Sequence, residues 1–193
     1  VATDALILAS ASPRRRELLA HFGLSFEVMP ADIDESIRPG ESPRAYVVRM
    51  AEEKARAVAA QHSQRVILAA DTSVVIDEVI LGKPETPEQA AGMLRALSGR
   101  AHQVMSAVAL LRPGTEADHR LSVTDVHFGS LSEGWIQAYI ATGDPMDKAG
   151  AYGIQNAAGL KVRRIEGSYS GVVGLPLFET GELLEAAGLL GMP

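Results

Sequence analysis

With 193 residues, 47% of them hydrophobic and 22% charged, the chain is long enough to bury a core and too apolar to be disordered. A net charge of -6 repels nucleic-acid backbones and anionic lipid, so any anion site has to be local. The lack of cysteine excludes disulfides, thiolate nucleophiles and cysteine-ligated metal.

Apolar runs of strand length alternate with helical patterns, which predicts a single α/β domain over residues 1–193 with a mixed, partly antiparallel sheet and flanking helices. The opening residues, VATDALILAS, carry neither the charged flank nor the long apolar centre of a secretion signal, so the expected location is cytoplasmic. LILA (Leu6 to Ala9) reads as a buried strand, and the Ser-Ala-Ser-Pro turn after it opens a helix through Arg16, Leu18 and Leu19. Past FEV lies an acidic segment, ADIDESIRPGE, and then a helix from Ser42-Pro43 to about Ala60. VILAAD (Val66 to Asp71) is the clearest buried strand, with a hairpin through VVIDEVIL as its continuation. The next helix starts at Thr86-Pro87, has Gln89 in place for a capping box, and ends near Ser98-Gly99. HQVMSAVALL and RLSVTDVHF read as two long strands joined at Pro113-Gly114, which favours antiparallel pairing. There follow a helix (LSEGWIQAYIA), a glycine-rich segment (DPMDKAGAYGIQNAAG), a strand (KVRRIEG), a turn, and a last helix through Phe178, Leu183 and Leu184. No apolar stretch approaches the roughly 20 residues that span a bilayer.

Three features carry chemistry. In SASPRRREL, Ser12 is a good N-cap and Pro13 a good first helical residue, so Arg14, Arg15 and Arg16 fall in the first turn. Cations there oppose the helix dipole, at a cost of about 0.3–1 kcal/mol each when exposed. Combined with free backbone N–H groups they make an anion cradle, for which phosphate is the natural guest; solvated arginines over a surface helix are the plain alternative. Lys54 shares the apolar stripe of Val47, Ala51, Ala55 and Val58, and an inward lysine wants an anion unless it merely snorkels along the core's edge. Asp71 closes an apolar strand, where α/β sheets gather ligands, and can hold a metal ion, take a proton from water, or simply end the strand. The acidic segment Asp32, Asp34, Glu35 offers further oxygen ligands to a hard cation such as Mg²⁺. Lys83 in LGKP, and Lys148 and Gln155 in the glycine-rich segment, add two charges and an amide, while Gly150 and Gly153 allow close backbone approach.

The blocks SASPRRREL, YVVRMAEEKA, AADTSVV, LGKP, LSGRAHQV, DKAGAYGIQ and GSYSGVVGLPL, in this order, resemble the Maf family of nucleoside triphosphate pyrophosphatases. The resemblance runs from about Leu6 to about Leu184. It implies a fold similar to inosine triphosphatase, with two lobes around a central cleft and often a homodimer. It also implies hydrolysis of a nucleoside triphosphate to monophosphate and pyrophosphate with a divalent cation, Mg²⁺ or Mn²⁺. The family's acid/base carboxylate falls on Asp71, and its phosphate and metal neighbours on Ser10, Arg15, Glu35, Lys54 and Lys83. Asp71 and Glu35 are the implied metal ligands. Arg14, Thr72 and Gln155 match the branch acting on dTTP and UTP, and modified pyrimidine nucleotides belong to the same expectation. Three residues depart from the family pattern: Asn156 for glycine, Ser106 for threonine and Gly171 for asparagine. At position 156 asparagine is a mild change, because it tolerates left-handed backbone angles. The rival expectation is a non-catalytic nucleotide sensor regulating cell division and septum formation; no nucleic acid or membrane partner is expected.

Overall fold

The structure is a computed structural model that describes residues 6–190, so the expected 1–193 domain extends past the described residues at each end. In chain order the elements are β1 (Leu6–Leu8), α1 (Pro13–Ala20), β2 (Phe26–Val28), α2 (Pro43–Ala59), β3 (Val66–Ile76), β4 (Val79–Leu81), α3 (Pro87–Leu97), β5 (Ala101–Leu111), β6 (Asp118–Phe128) and α4 (Glu133–Ala141). Three short 3-10 turns then lead to β7 (Val162–Glu166), α5 (Tyr169–Val173) and α6 (Leu177–Ala186). The helix starts follow from local chemistry. Ser12, Ser42, Thr86 and Ser132 each accept a hydrogen bond from the backbone N–H three residues on, and proline follows the first three.

The sheet runs β2-β1-β3-β5-β6-β7, with β4 added to β3. β1 lies parallel to both β2 and β3, and every other pairing is antiparallel, so the sheet is mixed as expected. Strand alternation divides the core between two faces. On one, Ile67, Ala69 and Val75 of β3 pack with Val47, Ala51, Ala55 and Val58 of α2. On the other, the two ends of the same strand serve different cores. Leu68 and Ala70 join Leu19 of α1 and Leu183 and Leu184 of α6, whereas Val74 and Ile76 join Leu94 of α3, Ile136 of α4 and Tyr152. The two helical lobes on this face are spanned by β3 and β5, and the cleft opens between them at the edge of β3 and reaches round to the α2 side.

Two expectations change. The strand expected to end at Asp71 continues to Ile76, because β5 pairs with it from Ile67 through Val75. The turn expected before the last helix contains α5.

Candidate active site

β1 stops at Leu8, opposite Leu68, and β4 joins β3 only from Val74, opposite Leu81. Between residues 69 and 73 this edge of β3 has no neighbouring strand, and Asp71 sits in the gap. The carboxylate is therefore mid-strand rather than at a carboxyl end, yet it opens on a crevice because β1 has run out beside it. Alternation turns Asp71 toward α2 and Thr72 toward α1.

Lys54 reaches Asp71 from α2. Its Nζ donates to Asp71 Oδ1 at 2.7 Å and lies 2.8 Å from Glu35 Oε1. The lysine and aspartate side chains are only 11% and 12% exposed, whereas Glu35 is 55% exposed, so the pair with Asp71 is the shielded one. Burial pushes the Glu35 carboxyl up, but the Lys54 hydrogen bond and the charges of Lys54, Lys83 and Arg15 more than offset it and hold it below its ordinary value. The loop that carries Glu35 is tied to α2. Tyr46 OH donates to the Glu35 carbonyl at 2.9 Å, and Arg49 donates to the Ser36 carbonyl at 2.9 Å. Arg49 also forks Glu41 at 2.5 and 2.6 Å, which holds the Glu41 carboxyl down to about 2. Of the remaining acidic segment, Asp34 accepts from the backbone and hydroxyl of Ser36, and Asp32 is exposed and away from the cleft.

On the opposite side of β3, Arg15 is fixed by three groups. Its Nε donates to the Gly174 carbonyl at 2.8 Å, Nη1 to Ser10 Oγ at 3.4 Å and Nη2 to Thr72 Oγ1 at 3.3 Å. Burial lowers the pKa of its guanidinium, with Asp71 opposing the shift. Thr72 Oγ1 lies 2.8 Å from Ser106 Oγ, which donates to the Gly171 carbonyl at 2.6 Å. Ser106 keeps the hydroxyl of the threonine usual in the resembled family, so that departure leaves the chain of bonds intact. A Cβ at Gly171 would lie 3.2 Å from the Ser168 side chain, a contact that glycine relaxes. Of the three consecutive arginines, Arg15 enters the site, Arg14 lines it half-buried and Arg16 faces solvent.

All of the expected site residues line one cavity of about 600 Å³: Ser10, Arg14, Arg15, Glu35, Lys54, Asp71, Thr72, Lys83, Lys148 and Gln155. Five cationic and three acidic side chains face it, so the cavity carries net positive charge in a chain of net charge -6. Lys83 is exposed at its rim, as is Gln155. Lys148 lines the cavity with its charge engaged. Its ammonium is 2.7 Å from the Asp144 carbonyl, 3.0 Å from Asp144 Oδ1 and 2.8 Å from Asp147 Oδ1, so its charge is already matched. Asn156 has φ -105°, an extended angle, so tolerance of left-handed backbone is not what admits asparagine there. Tyr46, Tyr139, Asp144 and Tyr152 are not legible as site residues in the sequence, and Ser106 is visible there only as a departure from the family pattern. Tyr46 lay within a block already quoted, but nothing local shows that its hydroxyl bonds the Glu35 carbonyl.

Among the described residues no group of three or more His, Asp or Glu side chains is arranged to hold a metal by itself. Asp71 and Glu35 do converge on a single point, the Lys54 ammonium. Two carboxylates completed by phosphate oxygens and water are a donor set that suits Mg²⁺ or Mn²⁺.

A family model described as "Maf-like protein" matches residues 5–187. A protein of Anaeromyxobacter dehalogenans named "dTTP/UTP pyrophosphatase" is 52% identical over 187 residues, covering 95% of this chain and 94% of its own. A protein of Shewanella oneidensis with the same name is 53% identical over 193 residues, covering 96% and 99%. Among solved structures, the Ham1 protein of Staphylococcus aureus and a HAM1 protein of Coxiella burnetii each align with TM-score 0.50 at 15% identity, covering 95% of this chain and 97% of theirs. At that identity the likeness concerns the fold.

Proposed function

The chain belongs to the Maf family, and we propose that it hydrolyses dTTP and UTP, with modified pyrimidine nucleotides as further candidates, to the monophosphate and pyrophosphate. The observation that carries this is the meeting of Arg15, Lys54 and Lys83 with Asp71 in one cavity, together with the name shared by relatives at about half identity. Nothing in the geometry or the relatives favours the non-catalytic sensor.

In this reading the triphosphate lies across the gap beside β3, between the end of β1 and the start of β4. Arg15 meets it from the α1 side, its guanidinium plane already set by Gly174, Ser10 and Thr72, and a pre-set fork loses little freedom on binding. Lys83 closes on it from the rim. Asp71 and Glu35 would hold the divalent cation, which would supply Lewis-acid polarisation of the phosphate oxygens and offset their charge. One Asp71 oxygen is bonded to Lys54, a place the cation would take over, freeing Lys54 to turn toward the phosphates; no donor among the described residues meets the other oxygen, which is left to take a proton from the attacking water. As the phosphoanhydride bond breaks, Lys54 and Lys83 stabilise charge gathering on the departing pyrophosphate. Arg14 and Gln155 face the space left for base and sugar, while Thr72 acts there through its bonds to Arg15 and Ser106.

No helix among the described residues is long and apolar enough to cross a membrane. Cytoplasmic residence, a homodimer and the lack of a nucleic-acid partner belong to the same proposal. Incubation of the purified protein with a panel of nucleoside triphosphates, with and without Mg²⁺ or Mn²⁺, tests it. The expected result is UMP or dTMP with pyrophosphate in equal amounts, only with metal; nucleoside diphosphate with orthophosphate, or no turnover, contradicts it.

A further inference from the structure

Gln155 faces the cavity without a hydrogen-bond partner of its own among the described residues, yet the backbone that presents it is tightly determined. The determining group is Asp144. Its Oδ2 accepts from Tyr139 OH at 2.5 Å, and its Oδ1 accepts from Asn156 Nδ2 at 2.5 Å and from Lys148 Nζ at 3.0 Å. The same Tyr139 hydroxyl accepts from the Gly153 N–H at 3.3 Å. One carboxylate thus anchors the loop at positions 148 and 156 directly, and at 153 through Tyr139. Gln155 is carried between the last two anchors.

The rest of the segment leaves it little freedom. A Cβ on Gly153 would lie 2.7 Å from Lys148 Cε, and one on Gly150 would lie 2.7 Å from Val74 Cγ1. The Gly150 N–H donates to the Gly82 carbonyl at 3.0 Å, next to Lys83. Ala151 is held at φ 61°, a left-handed angle that a residue with a Cβ keeps only where its surroundings over-determine it. Asp144 itself is partly shielded, at 21% exposure, so its bonds to Tyr139 and Lys148 form where water competes less, while the one to Asn156 is exposed.

We propose that Asp144 is the positioning residue for nucleotide recognition by Gln155, and that Lys148 serves the site as part of this frame rather than as a charge for the substrate. Held in place beforehand, the Gln155 amide binds without first ordering its loop, and ordering costs are what separate tight from weak binders of equal contact area. Asn156 adds one anchor of the frame that glycine, with no side chain, would not supply. The inference rests on the proposed reading of Gln155 as a nucleotide contact, and its test separates the two.

The test is a double-mutant cycle on binding of α,β-methylene-UTP with Mg²⁺, followed by calorimetry, using Asp144→Asn, Gln155→Ala and the double variant. Asp144→Asn keeps the shape but sets an amide donor against the Tyr139 hydroxyl, which already accepts from Gly153, and removes the charge that pairs with Lys148. The expected result is a loss of about tenfold in affinity for each single variant and no further loss in the double. Asn156→Gly, which removes one anchor without altering the Asp144 carboxylate, gives a smaller loss that also vanishes in the Gln155→Ala background; it carries the test if Asp144→Asn fails to fold. Losses that multiply in the double variant overturn the positioning role. Unchanged affinity on Gln155→Ala overturns the nucleotide-contact reading and the proposal with it.

Discussion

Lys54→Met removes the ammonium between Asp71 and Glu35 while keeping most of the side chain's volume. Removing one partner of a buried ion pair costs about 3–5 kcal/mol, and the Asp71 side of this contact, at 12% exposure, falls in that class. The Glu35 side, at 55% exposure, is screened to within about 1 kcal/mol. Methionine recovers part of the total by packing on α2, which leaves about 3–4 kcal/mol, or about 6–16 °C in Tm for a domain of this size. A divalent cation has the opposite effect in the variant, because it can take the ammonium's place between the two carboxylates. At a hundredfold excess over its Kd, Mn²⁺ returns about 2.7 kcal/mol. In the unmodified protein the cation must displace Lys54, so its Tm rises less. Turnover stays about 100- to 1,000-fold down even with metal, since a charge that meets the leaving group is missing. Thermal unfolding with and without Mn²⁺, alongside steady-state kinetics, reads all three effects. A Tm that does not fall, or that falls equally with and without Mn²⁺, refutes the reasoning.

Arg15→Lys keeps the charge but cannot reproduce the bonds to Gly174, Ser10 and Thr72; binding of a UTP analogue weakens about tenfold to a hundredfold, and calorimetry showing less than a twofold change contradicts this. Because the folded-state pKa of Glu35 is lowered, its contribution to stability is complete above the ordinary glutamate range and is lost as pH falls through the lower folded value. The Tm gap between wild type and Glu35→Gln therefore closes on acidification, and a gap that widens in acid has the wrong sign. Gly150→Ala sets a Cβ 2.7 to 3.0 Å from three Val74 atoms at φ +69°; it lowers Tm by about 5–15 °C, which differential scanning calorimetry checks.

What the sequence discloses divides by range. The start of α1 is legible because Ser12, Pro13 and the arginines lie within one turn, and the inward face of Lys54 is legible because helical period relates it to Val47, Ala51 and Ala55. Asp71 is harder. Asp-Thr-Ser resembles a strand's end, and only the pairing with β5, more than thirty residues away, keeps the backbone extended through it. The same limit hides the Thr72–Ser106–Gly171 chain and the bond from Tyr46 to Glu35, each made across elements that local periodicity does not relate. Lys148 shows the same limit from the other side: a lysine in a glycine-rich loop looks free for a ligand, and although it lines the cavity, Asp144 and Asp147 within the same segment already engage its three donors. The His102–Tyr152 bond, 2.7 Å long, joins β5 to this loop in a setting so shielded that burial, with the charge of His127, pushes the histidine down to about 4. Neither residue stands out in the chain.

Hydrolysis in this cavity depends on a carboxylate that acts on water rather than one that only fills a crevice. Asp71→Asn, assayed with UTP and Mg²⁺ for pyrophosphate release, measures this most directly, with calorimetric binding of α,β-methylene-UTP as control for a folded, occupied site. Release is predicted to fall by at least about a hundredfold while the analogue still binds; near-normal release by the bound, folded variant contradicts the account.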